Sequence, residues 1–289
     1  MKKFIAILAI LVALCLAAAG CAAPAAEEAA APAGEEPPVE EAAPAEEAAE
    51  QVELIVFAAA SLQETLTQIG ELYQAVAPNV TLIFSFDSSG TLKTQIQEGA
   101  DCDLFISAAQ KQMNQMDAAA DPEVNTEGLD FVEQGTRVDL LENKVALVVP
   151  EGNPANINSF ADIANCESIA LGNDDVPVGQ YSIEILTNLG LLEGLESGSK
   201  ITYGSNVKEV TTQVNEGAVD CGIVYATDAF SAGLTIVDQA QEDMCSQVIY
   251  PAAVLNISQH LEEAKAFLAY LQGEEATAVF ESVGFAPVG

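Results

Sequence analysis

The strongest constraint on the fold is a repeated alternation between short apolar runs and longer helical patterns, which begins after residue 51. The runs "VELIVFAAAS", "VTLIFSF" and "CDLFISA" are each followed by a stretch with a helical pattern, and the alternation recurs to the end of the chain. Short buried strands that alternate with helices indicate βαβ units and mainly parallel sheets. Because the alternation extends over residues 52–289, we expect two α/β sheets rather than one.

The strand-to-helix junctions are the part of this pattern that indicates function. In parallel sheets the carboxyl ends of strands and the N-termini of helices converge, and the free backbone N–H groups there suit an anion. Small or hydroxyl residues stand at four such junctions, namely Ser61, then Ser88 and Ser89, then Val178 and Gly179, and finally Asn206 with Val207. Each alone fits a simple helix cap, worth about 1 kcal/mol, and Ser61 with Glu64 forms a capping-box sequence. Four such junctions together favour a shared oxyanion site.

The balance of charge limits the partners of such a site. The chain has 44 acidic and 9 basic residues, so it cannot assemble the basic stripe that nucleic acid requires, and we expect no nucleic-acid partner. Hydroxyls and helix-start amides supply hydrogen-bond donors without any positive side chain, so they can hold a fully deprotonated tetrahedral dianion. A site built only of donors disfavours a protonated phosphate, whose O–H needs an acceptor.

The N-terminal 51 residues predict export rather than a folded domain. Residues 1–20 have two lysines, an apolar core and small residues before Cys21, which is the layout of a secretory signal peptide. The sequence "AAAGC" resembles a bacterial lipobox, although Ala18 stands where Leu is common, and lipidation of Cys21 would anchor the protein on the outer face of a membrane. Ordinary cleavage nearby is the alternative. Residues 21–51 are almost entirely Ala, Glu and Pro, which predicts a disordered tether.

A family resemblance rests on a set of short segments at these junctions. "VFAAASL", "SFDSSGTLKTQIQEGADCDLFISA", "DVPVGQYS", "NVKEV", "GIVYATDA" and "VIYPAAV" stand in this order between about Val52 and Gly289. In this order they resemble the molybdate-binding, periplasmic-type component of ABC importers. The resemblance implies a two-lobed α/β periplasmic-binding-protein fold of type II, with the ligand in the inter-lobe cleft. Residues 52–141 and 248–289 would form the first lobe, and residues 142–247 the second. Closure would hinge on "KVALVVP" and "QVIYPAAV".

The same resemblance implies a function and a set of ligand residues. The protein would bind molybdate, and tungstate with it, and deliver the anion to a membrane permease with its cytoplasmic ATPase. It would act as a monomer, without cofactor and without enzymatic activity. The implied donors are the hydroxyls of Ser61, Ser89 and Tyr225 and the backbone N–H groups of Ser61, Val178 and Val207. Asp87 departs from the family, in which serine or alanine is usual, and an acid beside the site leaves the choice of anion open.

Four cysteines follow Cys21, and their even number in an exported protein suggests two disulfides. Sequence alone permits three pairings. With the implied lobes, we expect Cys166 to pair with Cys221 in the second lobe, and Cys102 with Cys245 beside strands of the first. Zinc is the competing reading, and the lack of any CxxC and the single histidine, His260, argue against it.

Two alternatives to molybdate transport stay open at this point. The same fold could bind another tetrahedral oxyanion such as sulfate, because cavity dimensions decide between anions and the sequence does not give them. A serine hydrolase with Ser61 or Ser89 as nucleophile is the remote alternative. The chain has no GxSxG, and its one histidine is far from either serine in sequence.

Overall fold

The computed structural model describes residues 50–288. The predicted signal peptide, Cys21 and nearly all of the predicted tether lie outside the described residues, so these three stay predictions. No helix in the described part of the chain is both long and apolar enough to cross a bilayer.

Eleven strands form within residues 50–288. In chain order they are β1 Val52–Ala59, β2 Val80–Asp87, β3 Leu104–Ile106, β4 Val138–Asn143, β5 Val145–Val149, β6 Ile169–Gly172, β7 Ile201–Gly204, β8 Cys221–Tyr225, β9 Thr235–Gln239, β10 Val248–Val254 and β11 Ala286–Pro287.

Nine α-helices and two 3₁₀ segments accompany these strands in the same range. The helices are α1 Gln63–Val76, α2 Ser89–Gln97, α3 Gln110–Asn114, α4 Pro177–Asn188, α5 Leu192–Ser197, α6 Val207–Asn215, α7 Ala226–Ala232, α8 Leu261–Leu271 and α9 Glu274–Ser282. The 3₁₀ segments are Ala60–Leu62 and Phe160–Asn165.

The strands assemble into two sheets, each the centre of one lobe. The first sheet has the order β11-β4-β10-β3-β1-β2, and the second has the order β7-β6-β8-β5-β9. In the first, β1 is parallel to β2 and β3, while β10 is antiparallel to β3 and β4. In the second, β6 is parallel to β7 and β8, while β5 is antiparallel to β8 and β9. The predicted two-sheet α/β architecture is confirmed, and each sheet is mixed rather than purely parallel.

The chain passes between the two sheets twice. It leaves β4 at Asn143 and enters β5 at Val145, so Lys144 alone lies between a strand of the first sheet and a strand of the second. It returns between β9 and β10. Because β5 and β10 receive the chain from the opposite lobe, they enter their sheets against the direction of the neighbouring βαβ units.

Helix α1 illustrates how the helices attach to the sheets. The apolar spacing predicts an inward face with Leu66, Ile69 and Tyr73, and these three side chains are buried. The Tyr73 ring lies 4.9 Å from that of Phe267 in α8, so the two helices cover the same face of the first sheet. Each such fully buried side chain contributes about 1.5–3 kcal/mol to folding. Leu72, which the same spacing placed inward, is 39% exposed.

The four described cysteines are free thiols in the structure. Cys166 and Cys221 are in side-chain hydrogen-bond contact, so a disulfide between them stays a prediction. Cys102 lies beside the Leu255 end of β10, since the Leu255 N–H donates to the carbonyl oxygen of its neighbour Asp103. Cys245 precedes the opposite end of this seven-residue strand. A strand of that length spans about 20 Å, whereas bridged cysteines have Cα atoms within about 7 Å. The two cysteines therefore lie towards opposite ends of β10, which argues against the predicted Cys102–Cys245 pair.

Candidate functional site

A small cavity lies where the two lobes face each other. Its lining includes Ser61, Ser88, Ser89 and Asp87 from the first lobe and Val176, Pro177, Val207 and Tyr225 from the second. The cavity is small, with room for about one water molecule. Four of the five predicted ligand residues line this junction cavity, and the fifth, Val178, directly follows the lining residue Pro177.

Ser61 reaches the cavity from a 3₁₀ turn that continues β1. Its side chain is 5% exposed, and its Oγ lies 2.9 Å from Tyr250 Oη. The predicted capping box is wrong, because Leu62 rather than Ser61 is the N-cap of α1 and makes no side-chain cap. Glu64 instead pairs with Lys208 of the second lobe. The Ser61 hydroxyl is consequently not committed to the helix.

At the second junction the two serines have different hydrogen-bond roles. Ser88 is the N-cap of α2, and its Oγ accepts a hydrogen bond from the Thr91 N–H at 3.1 Å. Ser89, the first residue of the helix, is fully buried, and its Oγ accepts a hydrogen bond from the Ala108 N–H at 2.9 Å. Because Ser89 accepts there, its own proton remains available to a ligand in the cavity.

Two helix starts of the second lobe supply backbone donors. Val178 is the second residue of α4, after Pro177, which has no N–H. Val207 is the first residue of α6, and the preceding Asn206 caps the helix by accepting from the Glu209 N–H at 3.1 Å. Among the described residues neither valine N–H has a hydrogen-bond partner. Free N–H groups in a first helical turn carry the positive end of the helix dipole.

Tyr225 ends β8 and places its phenol between the lobes. The side chain is 1% exposed, and its Oη lies 3.3 Å from the carbonyl oxygen of Ala108, to which it donates. Burial raises the pKa of this phenol well above its ordinary value, and the neighbouring Tyr250 adds to the shift. Tyr225 therefore keeps its proton and can act as a donor.

Asp87, the residue that departs from the family, is held by donors on both sides of the junction. Its Oδ1 accepts from the Ser88 N–H at 2.7 Å and from Asn206 Nδ2 at 3.3 Å. One carboxylate oxygen is thus engaged in a contact between the lobes rather than free in the cavity. The sequence did not predict this use of Asp87.

Two further contacts join the lobes beside the cavity. The Gly90 N–H donates to the Asp175 carbonyl oxygen at 3.0 Å. Lys208 Nζ lies 2.7 Å from Glu64 Oε2 and 3.1 Å from Asp228 Oδ1, the latter as an ion pair without hydrogen-bond alignment. Lys208 and Asp228 stand one and three residues after the predicted ligands Val207 and Tyr225. That proximity was the only signal in the sequence for either.

Asp228 gives the protein a specific dependence of stability on pH. Its carboxyl is fully buried, and burial raises its pKa from 3.8 to about 6 although Lys208 opposes the shift. Between pH 4 and 6 the folded protein holds a proton that the unfolded chain releases. The unfolding free energy therefore falls as pH rises through this window, by up to about 3 kcal/mol. Asp228→Asn removes this dependence, which urea unfolding at a series of pH values measures.

The contribution of Asp228 is read from the difference between wild type and variant, since other groups titrate in the same window. That difference is expected to change by about 3 kcal/mol between pH 4 and pH 7. Asp101→Asn, which replaces an exposed carboxylate, serves as the control. Parallel pH profiles for wild type and Asp228→Asn would show that Asp228 does not hold a proton in the folded state.

Both the sequence and the fold of this chain are similar to those of known proteins. A family model described as bacterial extracellular solute-binding protein matches residues 54–286. The Bacillus subtilis protein YvgL, provisionally named an ABC transporter substrate-binding lipoprotein, is 37% identical over 238 residues, which cover 82% of this chain and 87% of YvgL. The molybdate-binding protein ModA of Escherichia coli is 32% identical over 244 residues, covering 82% and 90%. The structure of the Azotobacter vinelandii periplasmic molybdate-binding protein matches with a TM-score of 0.70 at 22% identity, covering 82% of this chain and 100% of that one, which shows the shared fold.

Proposed function

The chain belongs to the family of bacterial extracellular solute-binding proteins, and on that premise we propose that it binds molybdate and delivers it to an ABC importer. The observation that carries the proposal is the convergence of hydrogen-bond donors from both lobes on one cavity. The relatives named for molybdate binding support the choice of anion. In the structure the lobes already contact each other around the cavity, as expected of a form that would hold a bound anion.

The donors form a set without any positive side chain in the lining. They are the hydroxyls of Ser61, Ser89 and Tyr225 and the N–H groups of Ser61, Val178 and Val207. A hydrogen bond to a charged group is worth about 1.5–3 kcal/mol. About six such bonds can outweigh desolvation of the dianion and still leave micromolar to nanomolar affinity.

The same donors set the selectivity. Molybdate and tungstate are tetrahedral dianions of nearly equal size, so we expect both to bind. Phosphate carries a proton near neutral pH, and a site of donors offers that proton no acceptor. Asp87 Oδ1 is already engaged by Ser88 and Asn206, which reduces its ability to serve as that acceptor.

Delivery requires a position outside the cytoplasmic membrane and a membrane partner. Family membership supports an extracytoplasmic location, and the name of YvgL supports a lipid anchor at Cys21. The folded domain would then move on its tether as a monomer and pass the anion to a permease with its ATPase. Binding without turnover is the role of this family, so no residue is assigned a catalytic function.

A proline at position 207 tests the backbone donor of α6. Proline is well accepted at the first position of a helix, and Asn206 has φ −153° and ψ 173°, an extended conformation that suits the residue before proline. Val207→Pro removes the N–H that we assign to the anion. It also removes part of a buried side chain. We expect molybdate affinity, measured by calorimetry, to fall about 10- to 100-fold.

Val207→Ala is the matched control, because it truncates the same side chain and keeps the N–H. Its affinity for molybdate is expected to stay within about threefold of wild type, since a smaller buried group changes packing rather than donor number. Equal losses for the proline and alanine variants would remove Val207 N–H from the donor set.

A further inference from the structure

A chain of buried hydrogen bonds lies behind Ser61. Ser61 Oγ is 2.9 Å from Tyr250 Oη, and Asn143 Nδ2 is 3.2 Å from the same phenol oxygen. Asn143 Nδ2 also lies 2.8 Å from Thr227 Oγ1, and Asn143 Oδ1 accepts from the Lys144 N–H at 2.8 Å. Asn143 is the last residue of β4 and Tyr250 lies in β10, so the chain joins the two strands at which the polypeptide leaves and re-enters the first sheet.

The direction of each hydrogen bond follows from the donors and acceptors available. The Lys144 N–H can only donate, so it fixes the Asn143 oxygen on its own side and turns the Asn143 amide NH₂ toward Tyr250. The Tyr250 oxygen therefore accepts from Asn143. Among the described residues, Ser61 Oγ is the acceptor that lies within hydrogen-bond distance of this oxygen, so we assign the single buried proton of Tyr250 to Ser61. Ser61 Oγ accepts that proton, which leaves the Ser61 hydroxyl proton free for the cavity.

Burial keeps Tyr250 protonated and so maintains the direction of these hydrogen bonds. Tyr250 is fully buried, and burial raises its pKa well above the ordinary value, with the charge of Asp228 adding to the shift. The phenol therefore remains protonated and able to donate throughout the physiological range. The neighbouring phenol of Tyr225, whose ring centre is 5.7 Å away, directs its own proton to the Ala108 carbonyl.

We propose that Asn143 and Tyr250 are positioning residues for the anion, which act by forcing Ser61 to face the cavity as a hydrogen-bond donor. A serine hydroxyl in isolation can present either its proton or a lone pair. Here one lone pair of Ser61 Oγ is occupied from behind and its proton has no partner there, so Ser61 presents its proton to the cavity and favours a deprotonated oxyanion over a protonated one. This inference rests on the proposed anion-binding function and adds the residues that set the polarity of the site.

A double-mutant cycle on molybdate affinity tests this inference. Tyr250→Phe removes the donor behind Ser61, and Ser61→Ala removes the hydroxyl that it orients. We expect Tyr250→Phe alone to weaken molybdate binding about 3- to 10-fold and Ser61→Ala alone about 10- to 100-fold. In the Ser61→Ala background, Tyr250→Phe is expected to change affinity less than about twofold, because the group through which it acts is gone.

Controls separate positioning from a general effect on the fold. Tyr270→Phe removes a phenol hydroxyl that contacts Glu275 at the surface, and it should leave affinity unchanged. Thermal unfolding without anion checks that each variant is folded. Should Tyr250→Phe fail to fold, Asn143→Ala takes its place in the cycle, since it removes the group that orients Tyr250, and the same loss of effect in the Ser61→Ala background is expected.

The outcomes distinguish this inference from the function on which it rests. If the wild-type protein binds molybdate and the affinity losses of Tyr250→Phe and Ser61→Ala add in the double variant, the positioning role is overturned and molybdate binding stands. Coupling of Tyr250→Phe to Tyr225→Phe instead of to Ser61→Ala would overturn it as well, because the phenol proton would then serve Tyr225. A wild-type protein that binds neither molybdate nor tungstate would reject the proposed function and this inference together.

Discussion

A side chain at position 90 is expected to abolish tight molybdate binding while the free protein stays folded. Gly90 lies in the first turn of α2, and its N–H donates to the Asp175 carbonyl oxygen of the opposite lobe. A Cβ atom at Gly90 would lie 2.5 Å from that oxygen and 2.8 Å from the Asp175 Cα. These are backbone atoms, so no side-chain rotation can relieve the contact. Gly90→Ala therefore forces the lobes apart beside the cavity.

The size of the effect follows from where the lobes separate. Helix α2 carries the donor Ser89, and Asp175 lies in the turn that leads into α4, which carries the donor Val178. Overpacking costs about 1–3 kcal/mol and more where backbone must move, and loss of a donor adds about 1.5–3 kcal/mol. We expect molybdate affinity to fall at least about 100-fold. Alanine is favoured over glycine in a helix by about 1 kcal/mol, so a free protein whose lobes have moved apart should be no less stable.

Calorimetric titration with molybdate and thermal unfolding without it measure the two parts of this prediction. Gly194→Ala in α5 is the matched control, because a Cβ there meets no atom within 4 Å, and it should leave affinity unchanged. Wild-type affinity in Gly90→Ala would show that the bound anion does not require this approach of the lobes.

The two-sheet architecture could be predicted because strands and helices differ in apolar period. Strand direction could not. The run "KVALVVP" is buried on both faces in β5, as in a parallel strand, yet it is antiparallel to β8 and β9. A burial pattern shows which faces of a strand are covered. It does not show the direction of the strand, which here is reversed because the chain crosses between the lobes. The strand β4, "VDLLEN", was not predicted because its acidic residues interrupt the apolar run.

The residues that line the candidate site could be predicted from the sequence. The residues that contact Ser61 from behind could not. Helix starts are local, so Ser89, Val178 and Val207 could be found from residues adjacent in sequence. Tyr250 contacts Ser61 across 189 positions of the chain, and no spacing rule connects them. For Glu64 a local rule gave a wrong prediction. The residue fits the capping-box pattern with Ser61, but its carboxylate forms an ion pair with Lys208 of the other lobe.

Anion binding itself has the second large expected effect, on thermal stability. A ligand that binds only the folded state stabilises it by about 4 kcal/mol when present at about a thousand times its dissociation constant. For a domain of this size that energy raises the unfolding midpoint by roughly 8–16 °C. The effect needs no label and no variant. It also reports selectivity, because anions of different size and protonation can be compared on one protein sample.

The unfolding midpoint of the protein with molybdate, tungstate, sulfate and phosphate in turn shows whether it binds molybdate. Molybdate and tungstate are predicted to raise the midpoint by roughly 8–16 °C at saturation, and sulfate and phosphate to leave it nearly unchanged. A larger shift with sulfate or phosphate would contradict molybdate as the cargo. No shift with any of the four would contradict anion binding and reduce the converging donors to helix caps.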